Sequence, residues 1–316
     1  MSVVRFECVA SFRRVIEHMF ARGRNGPTLR RPRVARWASL LLLLVVGVIP
    51  LAKAGPRRIC SVSLAGDEYL ALLVDSERVV CVSRYVDDVT LSNVVGHFPP
   101  SIARVSSQLE KLIVRDPDLM LVAPWNSQDF LAALKRSGVR ALVLANATSF
   151  DEIRGELLRL GEAFGGRERA VRLAAELDNK LKELAGLAAR PEGSARLRVL
   201  SFSHAIVAGQ GTTIDELICR AGALNAAAEI GVHGYSKVAM ERIIALDPDV
   251  LLLGFDEGES LQKLLRAYPL LAKTRAARQG RIIILSPHLL TTVTPFLADG
   301  ALELARRLRA FEGLAP

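Results

Sequence analysis

The sequence MERIIALDPDVLLL at residues 240–253 closely repeats LEKLIVRDPDLMLV at residues 109–122. Aligned without gaps, the two copies share Glu, Ile, Asp, Pro, Asp and Leu in the same order, and most of the other pairs are apolar in both. Proline cannot continue a helix, and it moves the residue before it out of the helical region. Each copy therefore predicts a short helix, an Asp-Pro-Asp corner and a buried strand, and the duplication predicts two similar lobes.

Short apolar runs alternate with helical patterns on both sides of this repeat. A strand that is apolar throughout is buried on both faces, which is typical of parallel sheets covered by helices. The predicted fold class is therefore α/β, with a parallel sheet in each lobe. The predicted strands lie at residues 57–64, 77–83, 118–123 and 139–145 in the first half and at residues 196–202, 249–254 and 280–286 in the second half.

The segment between the two halves has almost no strand signal. Ser149 and Glu152 form a capping box at its start, which predicts the beginning of a helix. Residues 167–188 carry apolar side chains at helical spacing, and a helix of that length extends about 33 Å, enough to run from one lobe to the other. We predict three parts: an N-terminal α/β lobe at residues 55–148, linking helices at residues 149–190 and a C-terminal α/β lobe at residues 191–316.

The positive charge of the chain is concentrated before residue 55. Residues 1–54 contain ten basic and two acidic side chains, hence +8 of the net charge of +9, which leaves +1 for the rest of the chain. In that remainder the basic residues are mixed with acids along the helical segments, as on an ordinary solvated surface. This distribution removes the electrostatic case for a nucleic-acid partner.

The same N-terminal residues have the pattern of a leader. Sixteen uncharged residues separate Arg36 from Lys53, fewer than the ~20 that a membrane-spanning helix requires. The run ends in Ala-Lys-Ala, a small-x-small site typical of a cleaved secretory signal. We predict a signal peptide over residues 1–54, cleavage after Ala54 and a periplasmic mature protein. An uncleaved anchor is the alternative, and Met19 is an alternative start.

Three cysteines remain after this leader. Cys60 and Cys81 fall in apolar strand-like runs, and Cys219 falls in a helical pattern. Their spacing fits no metal motif. Buried thiols and a Cys60–Cys81 disulfide, which an oxidising compartment permits, are both open interpretations.

Three stretches of the mature chain together resemble the class III substrate-binding proteins of ABC importers. They are LEKLIVRDPDLMLV at residues 109–122, GQGTTIDELICRAGALNAA at residues 209–227 and GYSKVAMERIIALDPDVLLLG at residues 234–254. The resemblance extends over about residues 57–310. It implies two Rossmann-like lobes that are joined by a rigid helix, with a shallow ligand cleft that closes little on binding.

The resemblance also implies a function. Members of this family bind vitamin B12, ferric siderophores, haem and related iron complexes, and they deliver them to a permease in the inner membrane. For this chain it implies a monomeric receptor without catalytic activity or intrinsic cofactor, whose ligand is cobalamin, a ferric siderophore or haem. Two other functions stay open: a receptor for free zinc or manganese, and an enzyme similar to the bilobed chelatases that insert metal into tetrapyrroles.

Candidate ligand contacts in the first lobe follow predicted strands, because ligands of α/β proteins bind beyond the carboxyl ends of the strands. Arg84 and Tyr85 follow the predicted strand at residues 77–83, and Trp125 follows the predicted strand at residues 118–123. Two aromatic side chains suit a flat or macrocyclic ligand, and B12-binding members carry a tyrosine and a tryptophan at about these places. Arg84 suits a propionate or an anionic ferric chelate. The alternatives are that Tyr85 packs under its own loop and that Arg84 is solvated.

Candidate contacts in the second lobe include histidines. His204 and His288 follow predicted strands, while His233 and Tyr235 lie in the connection before the repeated corner, which reaches the cleft by family resemblance. If the three histidines converge, they are able to bind a metal ion or the iron of haem. Their spacing matches no local metal motif, so we predict contact with the ligand and no intrinsic metal site.

The family resemblance further implies a docking surface. Members dock onto the permease with one acidic side chain on each lobe, which meets arginines there. The candidates are Asp129 in the first lobe and Glu257 or Glu259 in the second. Ordinary solvated carboxylates are the alternative interpretation.

Overall fold

Two parallel sheets, one in each half of the chain, form the framework of the protein. The computed structural model describes residues 55–191, 193–203, 205–254 and 261–312, and the predicted signal peptide lies outside these residues. The described residues belong to one compact unit. Within them, no helix combines the length and the hydropathy that a membrane crossing requires.

The strands follow the apolar runs. Along the described chain they are β1 (Ile59–Ser61), β2 (Val79–Ser83), β3 (Ala103–Val105), β4 (Leu119–Val122), β5 (Ala141–Val143), β6 (Arg198–Phe202), β7 (Ile206–Ala208), β8 (Leu224–Asn225), β9 (Tyr235–Lys237), β10 (Val250–Gly254) and β11 (Ile282–Leu285). The first sheet has the order β3-β2-β1-β4-β5, and the second has the order β11-β10-β6-β8. Neighbouring strands in both sheets are parallel, whereas β7 and β9 form a separate antiparallel pair.

Helices alternate with these strands. They are α1 (Leu64–Leu73), α2 (Leu109–Ile113), α3 (Gln128–Ser137), α4 (Phe150–Phe164), α5 (Arg167–Ala188), α6 (Thr213–Arg220), α7 (Ala226–Glu229), α8 (Met240–Leu246), α9 (Leu261–Ala267), α10 (Arg275–Arg278), α11 (Pro287–Leu290) and α12 (Leu297–Phe311). We call the first sheet with α1 to α3 lobe one, and the second sheet with α6 to α12 lobe two. The predicted α/β class with a parallel sheet in each lobe is confirmed.

The repeated Asp-Pro-Asp corner has the same conformation in both lobes. The first aspartate of each corner, Asp116 and Asp247, follows its helix in the left-handed region, with φ of 49° and 44°. Aspartate is one of the few residues other than glycine that tolerate this region. The proline comes next and prevents the helix from resuming. The chain therefore leaves α2 and α8 abruptly and enters β4 and β10 directly.

Each corner is bonded to the first strand of its own lobe. The second aspartate, Asp118 or Asp249, accepts a hydrogen bond from the backbone N–H of Arg58 at 3.1 Å or of Arg198 at 2.9 Å. The side chains of the same two arginines donate to carbonyl groups at the ends of α2 and α8. The duplication that the sequence predicts is thus a duplicated set of contacts, which ties helix, corner and first strand together in each lobe.

Two linking helices belong to the cores of both lobes. α4 begins where the capping box predicts, with the Ser149 side chain accepting from the backbone N–H of Glu152. α5 occupies the predicted residues and has 22 residues. Phe150, Ile153, Leu177 and Leu184 pack in the core of lobe two, and Leu157, Leu160, Phe164, Ala170 and Ala174 pack in the core of lobe one. The helices cross closely, since a Cβ atom at Gly161 would overlap that of Ala170.

The cysteines of lobe one are joined. Cys60 of β1 and Cys81 of β2 are register partners on neighbouring parallel strands, with their Cα atoms 4.6 Å apart, and they form a disulfide. Both are fully buried. Of the two open interpretations, the structure has the disulfide, and Cys219 is free and exposed.

Removing the second aspartate of each corner tests its contribution to stability. Asp249 is buried, so Asp249→Ala leaves the backbone N–H of Arg198 without its partner and also removes an ion pair of 2.7 Å with Arg275. We expect the free energy of unfolding, measured by urea denaturation, to fall by about 1–3 kcal/mol. Asp118 is exposed, so water replaces the lost acceptor and Asp118→Ala should lower it by only about 0.5–1 kcal/mol.

Asp178→Ala provides the control for both variants. It breaks only the half-exposed ion pair with Arg154 and should change the free energy of unfolding by less than about 0.5 kcal/mol. An effect of Asp249→Ala as small as that of the control would contradict the role given to the corner.

Candidate functional site

The two lobes meet around a pocket at the carboxyl ends of the lobe-one strands. Its volume is about 190 Å³. Lobe one contributes residues from the start of α1, from the loop after β2 and from the loop after β4, and lobe two contributes the segment after α11. The lining residues are Leu64, Ala65, Glu68, Leu91, Trp125, Thr291, Thr292 and Val293. The predicted cleft between the lobes is therefore present, and Trp125 faces it.

Trp125 is held at the mouth of this pocket by its own loop. The side chain of Asn126 accepts from the backbone N–H of Ala123 at 2.8 Å, which closes the turn after β4. Ser127 then caps α3 by accepting from the backbone N–H of Phe130. Trp125 is 53% exposed, so a fixed turn holds a large apolar surface open to solvent.

Arg84 and Tyr85 form a pair on the loop after β2. The Arg84 guanidinium donates to the Tyr85 phenol oxygen at 2.7 Å and lies 4.8 Å from the centroid of its ring. Both side chains are exposed. Tyr85 therefore does not pack under its own loop, and its oxygen is paired with a cation that faces the solvent.

A buried carboxyl group lies behind this pair. Asp67 of α1 is fully buried and accepts hydrogen bonds from the backbone N–H of Ser83 at 3.0 Å and from its hydroxyl group. The Ser83 hydroxyl oxygen in turn accepts from the backbone N–H of Tyr85 at 3.3 Å. Burial raises the pKa of Asp67 to about 7, although the hydrogen bonds from Ser83 and Ser61 oppose the rise. Asp67 thus fixes the end of β2 where the Arg84–Tyr85 pair begins.

Arg104 anchors the rest of the loop after β2. Its guanidinium forms an ion pair of 2.7 Å with Asp87 and donates to the carbonyl groups of Phe98, Pro99 and Ile102. The hydrogen bond from Arg104 lowers the pKa of Asp87. The loop that carries the Arg84–Tyr85 pair is consequently anchored at both ends.

The lobe-two candidates lie on two different elements. Tyr235 opens β9, opposite Ala208 of β7, and is 59% exposed. His233, two residues earlier, is also exposed, and its backbone forms an isolated β-bridge with that of Gln210. His288 lies on α11 at the junction of the lobes, where its backbone N–H donates to the Thr90 carbonyl at 3.0 Å. Its Nδ1 atom is buried without a hydrogen-bond partner among the described residues.

A convergence of all three histidines is not part of what the structure describes, because His204 lies outside the described residues. Over residues 55–191, 193–203, 205–254 and 261–312, no three His, Cys, Asp or Glu side chains come together in a way that would hold a metal ion.

The structure describes only one of the three docking candidates. Asp129 is exposed in the first turn of α3, and Glu257 and Glu259 lie outside the described residues. The repeat provides another acidic pair: Glu110 and Glu241 occupy equivalent positions in the first turns of α2 and α8, and both are exposed. In the sequence this shared glutamate is evidence of duplication, and its symmetric placement on the two lobes becomes visible only in the structure.

Comparison with known proteins identifies the family. The sequence profile described as "Periplasmic binding protein" matches residues 59–289, well over half of the chain. The chain belongs to the periplasmic binding protein family. A relative of this periplasmic binding protein is the uncharacterized ABC transporter substrate-binding lipoprotein YvrC of Bacillus subtilis (strain 168). The two are 26% identical over an alignment of 266 residues that covers 81% of this chain and 81% of the relative.

Two solved structures resemble this periplasmic binding protein over nearly their whole length. The periplasmic heme-binding protein RhuT from Roseiflexus sp. RS-1 in apo form has 29% identity and a TM-score of 0.68, and the match covers 81% of this chain and 99% of RhuT. The periplasmic vitamin B12 binding protein BtuF of Vibrio cholerae has 21% identity and a TM-score of 0.65, and covers 81% and 98%. The second likeness shows the fold alone. The resemblance to class III substrate-binding proteins of ABC importers, carried by three stretches of the sequence, is confirmed.

Asp67→Asn tests the buried carboxyl group of this periplasmic binding protein. The ordinary pKa of 3.8 applies in the unfolded chain and a pKa of about 7 in the folded one. Between these values folded protein holds a proton that the unfolded chain has released, so the free energy of unfolding falls as pH rises from about 4 to about 7. The amide of the variant does not titrate, and we expect its Tm relative to wild type to rise by several degrees over this interval in a series of thermal melts.

Asp87→Asn is a control with the opposite sign. Arg104 lowers the pKa of Asp87 below its ordinary value of 3.8. The ionised carboxylate therefore stabilises the folded protein above that pH, and this stabilisation is lost in more acidic solution. The Tm of Asp87→Asn relative to wild type should therefore fall as the pH rises to about 4 and should stay level from there to about 7. Parallel trends in the two variants would overturn the assignment for Asp67.

Proposed function

We propose that this periplasmic binding protein is the exported receptor of an ABC importer, that its ligand is haem, and that Tyr85 binds the iron. The observation that carries the proposal is the hydrogen bond of 2.7 Å from the Arg84 guanidinium to the exposed phenol oxygen of Tyr85. Tyrosine is among the axial ligands of haem iron in proteins. A guanidinium that donates to the same oxygen stabilises negative charge on it, and a negatively charged oxygen is a strong ligand for ferric iron.

The pocket between the lobes, to which Leu91 of the loop after β2 contributes but Arg84 and Tyr85 do not, supports a flat, largely apolar ligand. Trp125 presents its ring at the pocket mouth, and Leu64, Leu91 and Val293 line the interior. A pocket of about 190 Å³ is smaller than the ~300–1,000 Å³ of sites that enclose a whole drug-sized ligand. It therefore takes one edge of a tetrapyrrole, while the rest of the ring lies in the open groove beside the aromatic side chains.

Similarity favours haem over the other two ligands that the family resemblance implies. RhuT, which is described as heme-binding, is more similar to this chain than BtuF, which is described as binding vitamin B12. Cobalamin and a ferric siderophore are those other two ligands, and Arg84 also suits the second as an anionic chelate. Both remain arms of the experiment.

The proposed role is transport without chemistry on the ligand. The leader at residues 1–54 directs export, and the mature protein holds haem through one iron–oxygen bond and ring contacts and then passes it to the permease. As the iron–oxygen bond forms, the Tyr85 phenol gives up its proton to water. The haem itself undergoes no reaction, so no residue is assigned a catalytic role.

We assign the contact with the permease to Glu110 and Glu241, in place of the pair that the sequence suggests. Both are exposed, and they occupy the same position of the duplicated helix-corner-strand unit. A transporter with two related permease halves presents equivalent surfaces, which equivalent acids on the two lobes match. Asp129 has no such counterpart among the described residues of lobe two.

Haem titration tests the ligand. Trp125 is the only tryptophan after the leader, so its fluorescence reports on the cleft of residues 55–316. We expect haem to quench it and to show the charge-transfer absorption of a tyrosinate–iron bond, whereas cyanocobalamin and ferric siderophores leave the signal unchanged. Tyr85→Phe keeps the ring but removes the iron ligand and should weaken haem binding at least tenfold, about 1.4 kcal/mol.

Tyr268→Phe provides the matched control. It makes the same change where the ring packs edge-on against Phe202 inside lobe two, and it should leave haem affinity and spectrum unchanged. Quenching by cyanocobalamin instead of haem, or a normal haem spectrum in Tyr85→Phe, would refute the haem assignment.

Permease stimulation tests the docking pair. The double variant Glu110→Gln/Glu241→Gln removes both charges without changing side-chain size. We expect it to bind haem normally but to stimulate ATP hydrolysis by its reconstituted importer at least tenfold less, as expected when two rim charges that set association are lost. Asp129→Asn is the comparison, and the reverse outcome, with Asp129→Asn inactive and the double variant normal, would reassign the contact.

A further inference from the structure

A buried carboxylate, Glu68, connects the two lobes. It is only 1% exposed and lies on α1, next to Asp67. On the lobe-one side its Oε1 accepts from the side-chain amide of Asn93 at 2.7 Å and from the backbone N–H of the same residue at 3.3 Å. One carboxylate oxygen is thus fully used within its own lobe.

The other oxygen of Glu68 faces lobe two. Its Oε2 accepts from the hydroxyl groups of Thr292 at 2.6 Å and Thr294 at 2.8 Å, both of which are buried. All four of these donors to Glu68 are neutral groups. Because the site is closed to water, removal of the carboxylate leaves buried donors unpaired, which costs far more than loss of an exposed contact.

Neighbouring contacts converge on the same junction. The Tyr69 hydroxyl donates to the Val293 carbonyl at 3.1 Å. The Asn93 amide also donates to the His288 carbonyl at 2.9 Å. Glu68 is therefore the centre of a small polar interface whose two sides come from different lobes.

The same residues line the ligand pocket. Glu68 and Thr292 contribute to the wall that also contains Trp125. Any change in the spacing of the two lobes at Glu68 thus moves the lobe-two wall relative to Trp125.

We propose that Glu68 is a positioning residue that sets the separation of the lobes, so that the groove has its ligand-binding width before the ligand arrives. The positioning role of Glu68 is inferred from the junction contacts and does not depend on the identity of the ligand. Only the effect of Glu68 on ligand affinity rests on the proposed binding of haem. A pre-organised groove saves the ligand the cost of ordering two lobes. The prediction is that losing the carboxylate changes the distribution of distances between the lobes, not only the stability.

Spin-label distance measurements test this. One label attaches to the native exposed Cys219 of α6 and the other to lobe one through Arg136→Cys on the exposed face of α3. In this labelled protein we expect a single narrow distance distribution with or without haem. Glu68→Ala should broaden or shift it and weaken haem binding about tenfold. Glu68→Gln should restore both, because its oxygen can face Asn93 and its amide can donate to the threonine hydroxyl groups.

Two further variants keep the test decisive. Thr292→Val/Thr294→Val removes the lobe-two donors and replaces Glu68→Ala if that variant does not fold. Asp249→Ala destabilises lobe two away from the junction, so it should lower the Tm and leave the distance distribution unchanged. A wild-type distribution in both Glu68→Ala and the threonine variant overturns the proposal. If wild type fails to bind haem, the distances still decide the role of Glu68, and only the proposed ligand falls.

Discussion

The carboxylate of each Asp-Pro-Asp corner accepts the backbone N–H at the start of the first strand in its lobe, and this repeated contact fixes how helix, corner and first strand are placed. It holds the incoming helix, the corner and two neighbouring strands in one unit, since the arginine that supplies the N–H also caps the helix end. With β1 fixed beside β4, and β6 beside β10, the carboxyl ends of the strands face one edge in each lobe. That edge is where an α/β protein binds its ligand.

The first helix of lobe one turns this framework into a site. Two adjacent acids near its start point in different directions: Asp67 fixes the loop that carries Arg84 and Tyr85, and Glu68 binds the segment of lobe two that closes the pocket. Both are buried, and only Asp67 lies in the first turn of the helix. Under the proposed function, a ligand would meet aromatic groups on a framework that these two acids hold from beneath, in agreement with the small closure that the family resemblance implies.

Local signals predicted much of this from the sequence, and long-range ones were missed. Capping by Ser149 and the spacing of apolar residues located α4 and α5 because both signals act within a few residues. β3, β7, β8 and β9 escaped prediction because no long apolar run marks them: β3, β8 and β9 each include a polar residue, and the apolar run around β7 has only four residues. Strand ends pointed to Trp125, whereas the partners of Glu68 lie 224 and 226 residues away, a separation that leaves no local pattern.

The linking helices have an evolutionary consequence. α4 and α5 each supply side chains to both cores, so neither lobe has a complete hydrophobic core without these helices. Although the two halves of the chain share a duplicated unit, recombination cannot exchange one half without the other. A new lobe could enter only with matching helix faces, which means that new ligand preferences in such a molecule arise by changing loop tips and not by shuffling lobes.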